Sequence, residues 1–380
     1  MDIRHLVARR YLVTKTQDKN VKGNTMRNNE ITAEQRLLNS DGEIENPGWS
    51  RRQFQRYHRS DIKAPAYRIK EWDYYLVLHD GGDDDSYAVC FTISDDGYVG
   101  LQSISLLCLN KDNPWEHTET VLNVFPMGRF KLPQDSSNGD TEYYDKRLKL
   151  RFRVSPGKRV IDACFNNFYE GKRLRAHIVL EQPDTDTMVI ATPWDKKHCF
   201  YYNQKINTMK ARGKVEYDGK LFTFSSDRDY GTLDWGRGVW TYDNTWYWGS
   251  GNANVDGHDV GFNIGYGFGN TSAATENVIF YDGKVHKLDD IKIDIPNDID
   301  LYDMDSPDYM KEWTISESNG RFEMTFTPIL DRSAKMDFKL IVSDQHQVFG
   351  RMSGKMILDD NTEVELKDVL CFIEKVHNKY

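Results

Sequence analysis

Nothing in this sequence pairs its cysteines. Cys90, Cys108, Cys164, Cys199 and Cys371 are 5 in number and widely separated, with no CxxC among them. That excludes a disulfide framework, a thioredoxin-type redox pair and a cysteine zinc site. The five read as thiols buried in a core. No apolar run approaches the roughly 20 residues of a membrane-spanning helix, and mean hydropathy is -0.69. Positive charge is not in excess either: Lys+Arg 50 against Asp+Glu 59 gives -9, which provides no global attraction to phosphate backbones. Neither a membrane span nor a nucleic acid is expected. The opening MDIRHLVARRYLVTKTQDKN carries charges inside every apolar run, so no secretory h-region can be drawn through it. The expected compartment is cytoplasmic. The histidines show neither i, i+4 spacing nor acidic neighbours in ligand order, and no metal site is expected. Gly265-Tyr266-Gly267-Phe268-Gly269 lacks the third-glycine spacing of a dinucleotide fingerprint. No cofactor is expected.

What the chain does hold is aromatic side chains: 21 Tyr, 18 Phe and 9 Trp in 380 residues, enough to fill a packed core. Helical periodicity is nearly absent, and period-two alternation replaces it. Leu148, Leu150, Phe152 and Val154 alternate with Arg147, Lys149, Arg151 and Arg153, and a Pro156-Gly157 turn leads to Val160, Asp162 and Cys164. This is a hairpin, and its basic face reads either as an anion stripe or as ordinary edge protection. Further strands are expected at 74–79, 87–93, 175–181, 188–192, 214–225, 321–327, 336–343 and 348–357. Tyr217-Asp218-Gly219-Lys220 recurs as Tyr281-Asp282-Gly283-Lys284, which reads as the common Asp-Gly hairpin turn rather than a duplication. Many short strands predict an all-β protein. The expected organisation is an N-terminal extension over residues 1–40, a first β-domain over 41–225 and a second over 226–380. Both domains would be antiparallel barrels or sandwiches packed side by side.

The composition changes between Asp227 and Leu288. Asp234-Trp235-Gly236-Arg237-Gly238-Val239-Trp240 is followed by Trp246-Tyr247-Trp248-Gly249-Ser250-Gly251, Gly261-Phe262-Asn263 and Thr275-Glu276-Asn277. In a strand Trp246 and Trp248 share one face. Phe262, Ile264, Tyr266 and Phe268 form an apolar face whose opposite holds Asn263 and four glycines. Such a row implies close packing, a sharply curved strand or a ligand against the sheet. Glu276 shares a face with Val278 and Phe280, where desolvation raises a carboxyl pKa. Asp234 and Arg237 are placed to pair within a short turn, or Arg237 holds an anionic ligand group. The expected constellation is one pocket with Glu276 and Asp234 as candidate acids. Arg237, Asn263, Asn277, Trp240, Trp246 and Trp248 would bind the ligand.

These motifs, DWGRGVW, WGSG, GFN, TEN and YDGKVHKL, with NPGW near the start, resemble the domain of unknown function 2804 family from about Asp41 onward. That family is remotely similar to two-domain lipocalin-like proteins, among them carotenoid hydratases, tocopherol-cyclase-like proteins and fungal cyclases. The resemblance implies two calyx-like β-domains with a ligand cleft in or between them. The first functional reading is therefore a binder, hydratase, isomerase or cyclase for an apolar or polycyclic small molecule. The second is a carbohydrate-active protein with Trp platforms and a carboxylate pair. The third is a non-catalytic structural or interaction protein.

Overall fold

In the computed structural model, which describes residues 27–337 and 341–380, strands dominate. Among the described residues there is no α-helix, only 3-10 turns at Arg59–Asp61 and Ala66–Arg68. The protein is all-β, with two large antiparallel sheets.

The first sheet runs, in spatial order, through Trp115–Val124, Val99–Cys108, Tyr87–Asp95, Ile69–His79, Tyr230–Val239, Phe200–Tyr217, Lys172–Glu181, Lys158–Tyr169, Leu148–Ser155 and Thr141–Tyr144. Met188–Pro193 pairs with the start of Phe200–Tyr217 and also with Gly48–Ser50. The second sheet runs through Lys284–Lys287, Val278–Tyr281, His258–Tyr266, Asp243–Val255, Glu363–Lys379, Val342–Ile357, Phe322–Asp337, Trp313–Glu317 and Ile291–Asp294. The chain leaves the first sheet at Val239 and enters the second at Asp243. The boundary read from sequence, between 225 and 226, therefore falls one strand before the change of sheet, because Tyr230–Val239 pairs along its length with Ile69–His79.

Each sheet curls around its own core. Tyr75, Val77, Phe91 and Phe152 belong to the first core, Phe262, Ile264, Trp313 and Phe326 to the second. A third cluster draws on both sheets, with Tyr74, Leu76 and Tyr201 from one and Trp248, Phe349 and Phe372 from the other. The strand Ile69–His79 shows how one sequence serves two cores. Tyr75 and Val77 point into the first, Tyr74, Leu76 and Leu78 into the third, so it is buried on both faces and reads as nearly continuous apolar sequence.

The turn chemistry follows the sequence reading. Asp218-Gly219, Asp256-Gly257 and Asp282-Gly283 all have positive φ at both residues, the geometry that matches a two-residue hairpin to the twist of its strands. The expected single strand 214–225 is thus two strands joined at Asp218-Gly219. Within the expected extension 1–40, Ile31, Leu37 and Leu38 are buried and Gln35–Arg36 pairs with Gln55–Arg56, so residues from 30 on pack onto the first sheet; residues 1–26 lie outside the described residues. The five cysteines are free.

Candidate functional site

The site begins with two neighbouring strands whose side chains emerge between the sheets. Tyr74 stands opposite Asp234, Trp72 opposite Gly236 and Lys70 opposite Gly238. A Cβ on Gly236 would lie 2.0 Å from the Trp72 ring; only glycine lets that indole lie flat across the neighbouring strand. From the second sheet, Trp246 and Trp248 on Asp243–Val255 and Glu374 on Glu363–Lys379 face the same space. Together with Trp240 and Arg332 they line a cleft of about 680 Å³ between the sheets. The indoles meet edge to face: Trp240 lies 5.0 Å from Trp246 and 5.8 Å from Trp72, and Trp248 lies 6.0 Å from Tyr74.

Four carboxylates line the cleft, Asp96, Glu116, Asp234 and Glu374, and the last two stand at its tryptophan wall. Asp234 Oδ1 accepts from Asn203 Nδ2 at 2.6 Å and from Lys205 Nζ at 2.9 Å, and that ammonium also sits 3.8 Å over the Trp248 ring. Glu374 Oε1 accepts from Trp246 Nε1 at 3.0 Å, and Oε2 from Gln347 Nε2 at 2.9 Å. Burial pushes the Glu374 carboxyl above the ordinary carboxylate range, against these hydrogen bonds and the charges of Arg332 and Lys205. It is an acid that holds its proton to higher pH than a surface glutamate.

Glu276 lies one layer behind. Its Oε2 accepts from Tyr201 OH at 3.1 Å. Asn263 Nδ2 donates to its backbone oxygen at 3.0 Å and to Oε1 at 3.3 Å, while Asn263 Oδ1 accepts from Trp248 Nε1 at 2.7 Å. Its carboxyl is also raised, by burial first, with Lys205 opposing and Asp234 adding to the shift. The structure therefore brings Glu276 and Asn263 together, connected to the cleft wall through Trp248 and through Tyr201, whose ring packs on Trp72 and Trp240. The space beside Gly265 is taken by the Tyr247 carbonyl and this carboxyl, since a Cβ there would lie 2.7 Å from Tyr247 O and 2.8 Å from Glu276 Oε1; elsewhere in the row Gly261 meets Asn252 and Gly269 the Pro193 carbonyl.

Two expected members are elsewhere. Arg237 is three residues from Asp234, so on a regular strand it points the opposite way. It lies in the first core, donating to Asp73 Oδ1 at 3.0 Å and to the carbonyls of Trp72, Gly236 and Pro133. The Asp234–Arg237 pair does not form. Asn277 likewise turns from Glu276 and serves the backbone, accepting from Gly265 N at 2.6 Å and donating to Asp289 O at 2.8 Å. The basic face of the Leu148–Ser155 strand borders an outer groove of about 580 Å³. There Arg153 and His177 share Asp162, and Arg151 pairs with Asp140, so these charges are spent on one another.

Comparison with known proteins follows the same motifs. The profile described as domain of unknown function (DUF2804) matches residues 28–380. This chain belongs to the DUF2804 family. Among solved structures it is similar to kievitone hydratase from Nectria haematococca, with 9% identity, TM-score 0.48 and coverage of 91% of this chain and 98% of that one. It is also similar to CghA with Sch210972, with 9% identity, TM-score 0.42 and coverage of 90% and 97%. A comparison with curated proteins returned no match.

In this DUF2804 chain, sequence reasoning missed Lys70, Trp72, Lys205, Arg332 and Glu374 at the cleft. One signal was legible: Glu374-Lys375 interrupts the apolar run from Leu370 to Val376. Charges inside a strand buried on both faces mark paired or functional groups. Lys375, on the other face, pairs with Asp298 at 2.8 Å.

Proposed function

We propose that this protein binds an apolar, ring-bearing small molecule in the cleft between its sheets and that Glu374 protonates it, in a hydration, isomerisation or cyclisation. The observation that carries this reading is a carboxyl of raised pKa at the wall of an aromatic cleft of about 680 Å³, a volume within the ordinary range for small-molecule sites. Asp234, held by Lys205 and Asn203, supplies a fixed negative charge for a developing cation. Glu276 acts as a positioning residue through Asn263 and Trp248.

The aromatic geometry favours this reading over the sugar-binding one. Sugars stack on open indole faces, whereas here Trp240 and Trp246 meet at 80° and the Trp248 face carries the Lys205 ammonium. Rings enclosed edge to face suit a flat hydrophobic guest. The test is E374Q. General acid help is typically worth about 10² to 10⁴ in rate, so turnover of a substrate found by mass spectrometry of a solvent extract falls by that order. Binding and thermal stability stay near wild type. Unchanged turnover removes Glu374 from the chemistry.

A further inference from the structure

Buried polar atoms without partners are few in native proteins, and each asks for a reason. Several here border the same cleft: Lys70 Nζ, Trp240 Nε1, Gln347 Oε1 and Asn378 Oδ1 have no hydrogen-bond partner among the described residues. The Lys70 amine is the most demanding. It is 3% exposed and sits 3.5 Å over the Tyr380 ring and 5.1 Å from that of Tyr98. The other deeply placed lysines each have at least one oxygen partner. Lys287 Nζ donates to Thr275 Oγ1, Asn277 O and Leu288 O within 2.8 Å. Lys375 holds Asp298 and two backbone carbonyls, and Lys205 holds Asp234.

We propose that Lys70 anchors an oxyanion, such as a carboxylate or sulfonate, carried by the ring system that the cleft receives. This deepens the function proposed above and rests on it. Position along the strand gives the ligand a length. Lys70 and Tyr74 lie on one face of Ile69–His79, about 13 Å apart at roughly 3.3 Å per residue. Tyr74 stands at the acid end, opposite Asp234 and against Trp248, which is itself opposite Glu374. The oxyanion therefore lies one ring system away from the atom that Glu374 protonates. Tyr98 and Tyr380 provide faces for the ammonium, and Asn378, whose Nδ2 donates to Tyr380 OH at 3.0 Å, leaves its Oδ1 beside this end for a ligand donor. Burial lowers the Lys70 pKa, with Asp96 opposing that shift and Arg68 adding to it. Asp96 is not within ion-pair distance and accepts from Ser94 Oγ instead. An arriving anion supplies the missing partner.

The experiment uses two fluorescent probes that differ by one sulfonate, 8-anilinonaphthalene-1-sulfonate and neutral N-phenyl-1-naphthylamine, titrated into the full chain. Wild type is expected to bind the sulfonate more tightly. In K70M the sulfonate's affinity falls about tenfold or more, the worth of a charged hydrogen bond, while the neutral probe is little changed. K70R keeps part of the preference. Equal sulfonate affinity in wild type and K70M, with the neutral probe bound, overturns the proposal and leaves the aromatic cleft standing. Failure of wild type to bind the neutral probe overturns the cleft reading as well. Should K70M not fold, R332Q decides: a sulfonate preference that survives without Arg332 supports Lys70, and one that vanishes places the anion at Arg332 and overturns the assignment.

Discussion

On one face of the strand pair Ile69–His79 and Tyr230–Val239, every buried charge is answered. Arg237 makes hydrogen bonds to Asp73 and three carbonyls, with its guanidinium 4.0 Å over the Trp235 ring; Glu71 accepts from Tyr57 and pairs with Arg59. On the other face, the same two strands carry Lys70 without a hydrogen-bond partner, while Asp234, opposite Tyr74, is held by Lys205 and Asn203; just past the strand end the Trp240 indole N–H is left open. The first arrangement is that of a core, where a charge survives only if saturated. The second leaves a buried amine unsaturated at the cleft, which is what the proposed anionic ligand would complete. Saturation, rather than burial, separates the Lys70 amine, which has no hydrogen-bond partner, from the equally buried but fully paired Arg237.

The comparison is broken most directly at Arg237. R237L leaves Asp73 buried and unpaired and should cost about 3–5 kcal/mol in chemical denaturation; a loss under about 1 kcal/mol would place Arg237 among the dispensable charges. The tryptophans sharpen the comparison next. Trp248 is buried among Tyr74, Phe372 and Asn263, so W248A should cost about 3–5 kcal/mol. Trp246 is only half-buried, and W246A should cost less stability while weakening probe binding more per unit of stability lost. Equal penalties would erase the distinction between wall and core.

A pH profile separates the faces more gently. The folded-state pKa values of Glu374 and Glu276 lie above their ordinary values, so the folded state favours their protonated forms. The stability they contribute is fully present below the ordinary glutamate range and is lost as pH rises through each folded pKa. Thermal melting should show this decline, and the E276Q/E374Q double variant should flatten it; an unchanged slope would assign it to other groups. The smallest effect belongs to the outer groove, where R153A should change stability by less than about 0.5 kcal/mol, as solvent-exposed ion pairs usually do.

Much of the fold was written in alternation. The hairpin from Leu148, the Asp-Gly turns and the shared face of Trp246 and Trp248 follow from side-chain period alone. Glu276 and Asn263 are expected on one face of a hairpin, whereas Asp234 and Arg237 read as a short turn; because 230–239 is a regular strand, residues three apart point opposite ways and Arg237 leaves the pocket. What alternation could not reveal was a strand buried on both faces: Ile69–His79 and the part of Glu363–Lys379 from Val369 on lack an exposed side, so neither Lys70 nor Glu374 announced which core it entered. The glycine row was ambiguous for a related reason. A missing side chain marks space without naming its occupant, and at Gly265 that space is shared by the Tyr247 carbonyl and the carboxyl of Glu276, just before the next strand of the same hairpin.

The place of Glu363–Lys379 in the second sheet bears on the order of synthesis. This strand lies between Asp243–Val255 and Val342–Ile357 and pairs with both. On the ribosome, Asp243–Val255 keeps one edge open until everything between Val255 and Glu363 has been made, roughly 5 to 20 s at ordinary elongation rates. The first sheet needs nothing beyond Val239 to complete its pairing. The Trp246 and Trp248 face thus waits as an exposed apolar strand beside an already assembled partner sheet, and the cleft closes only when its acid, Glu374, is delivered.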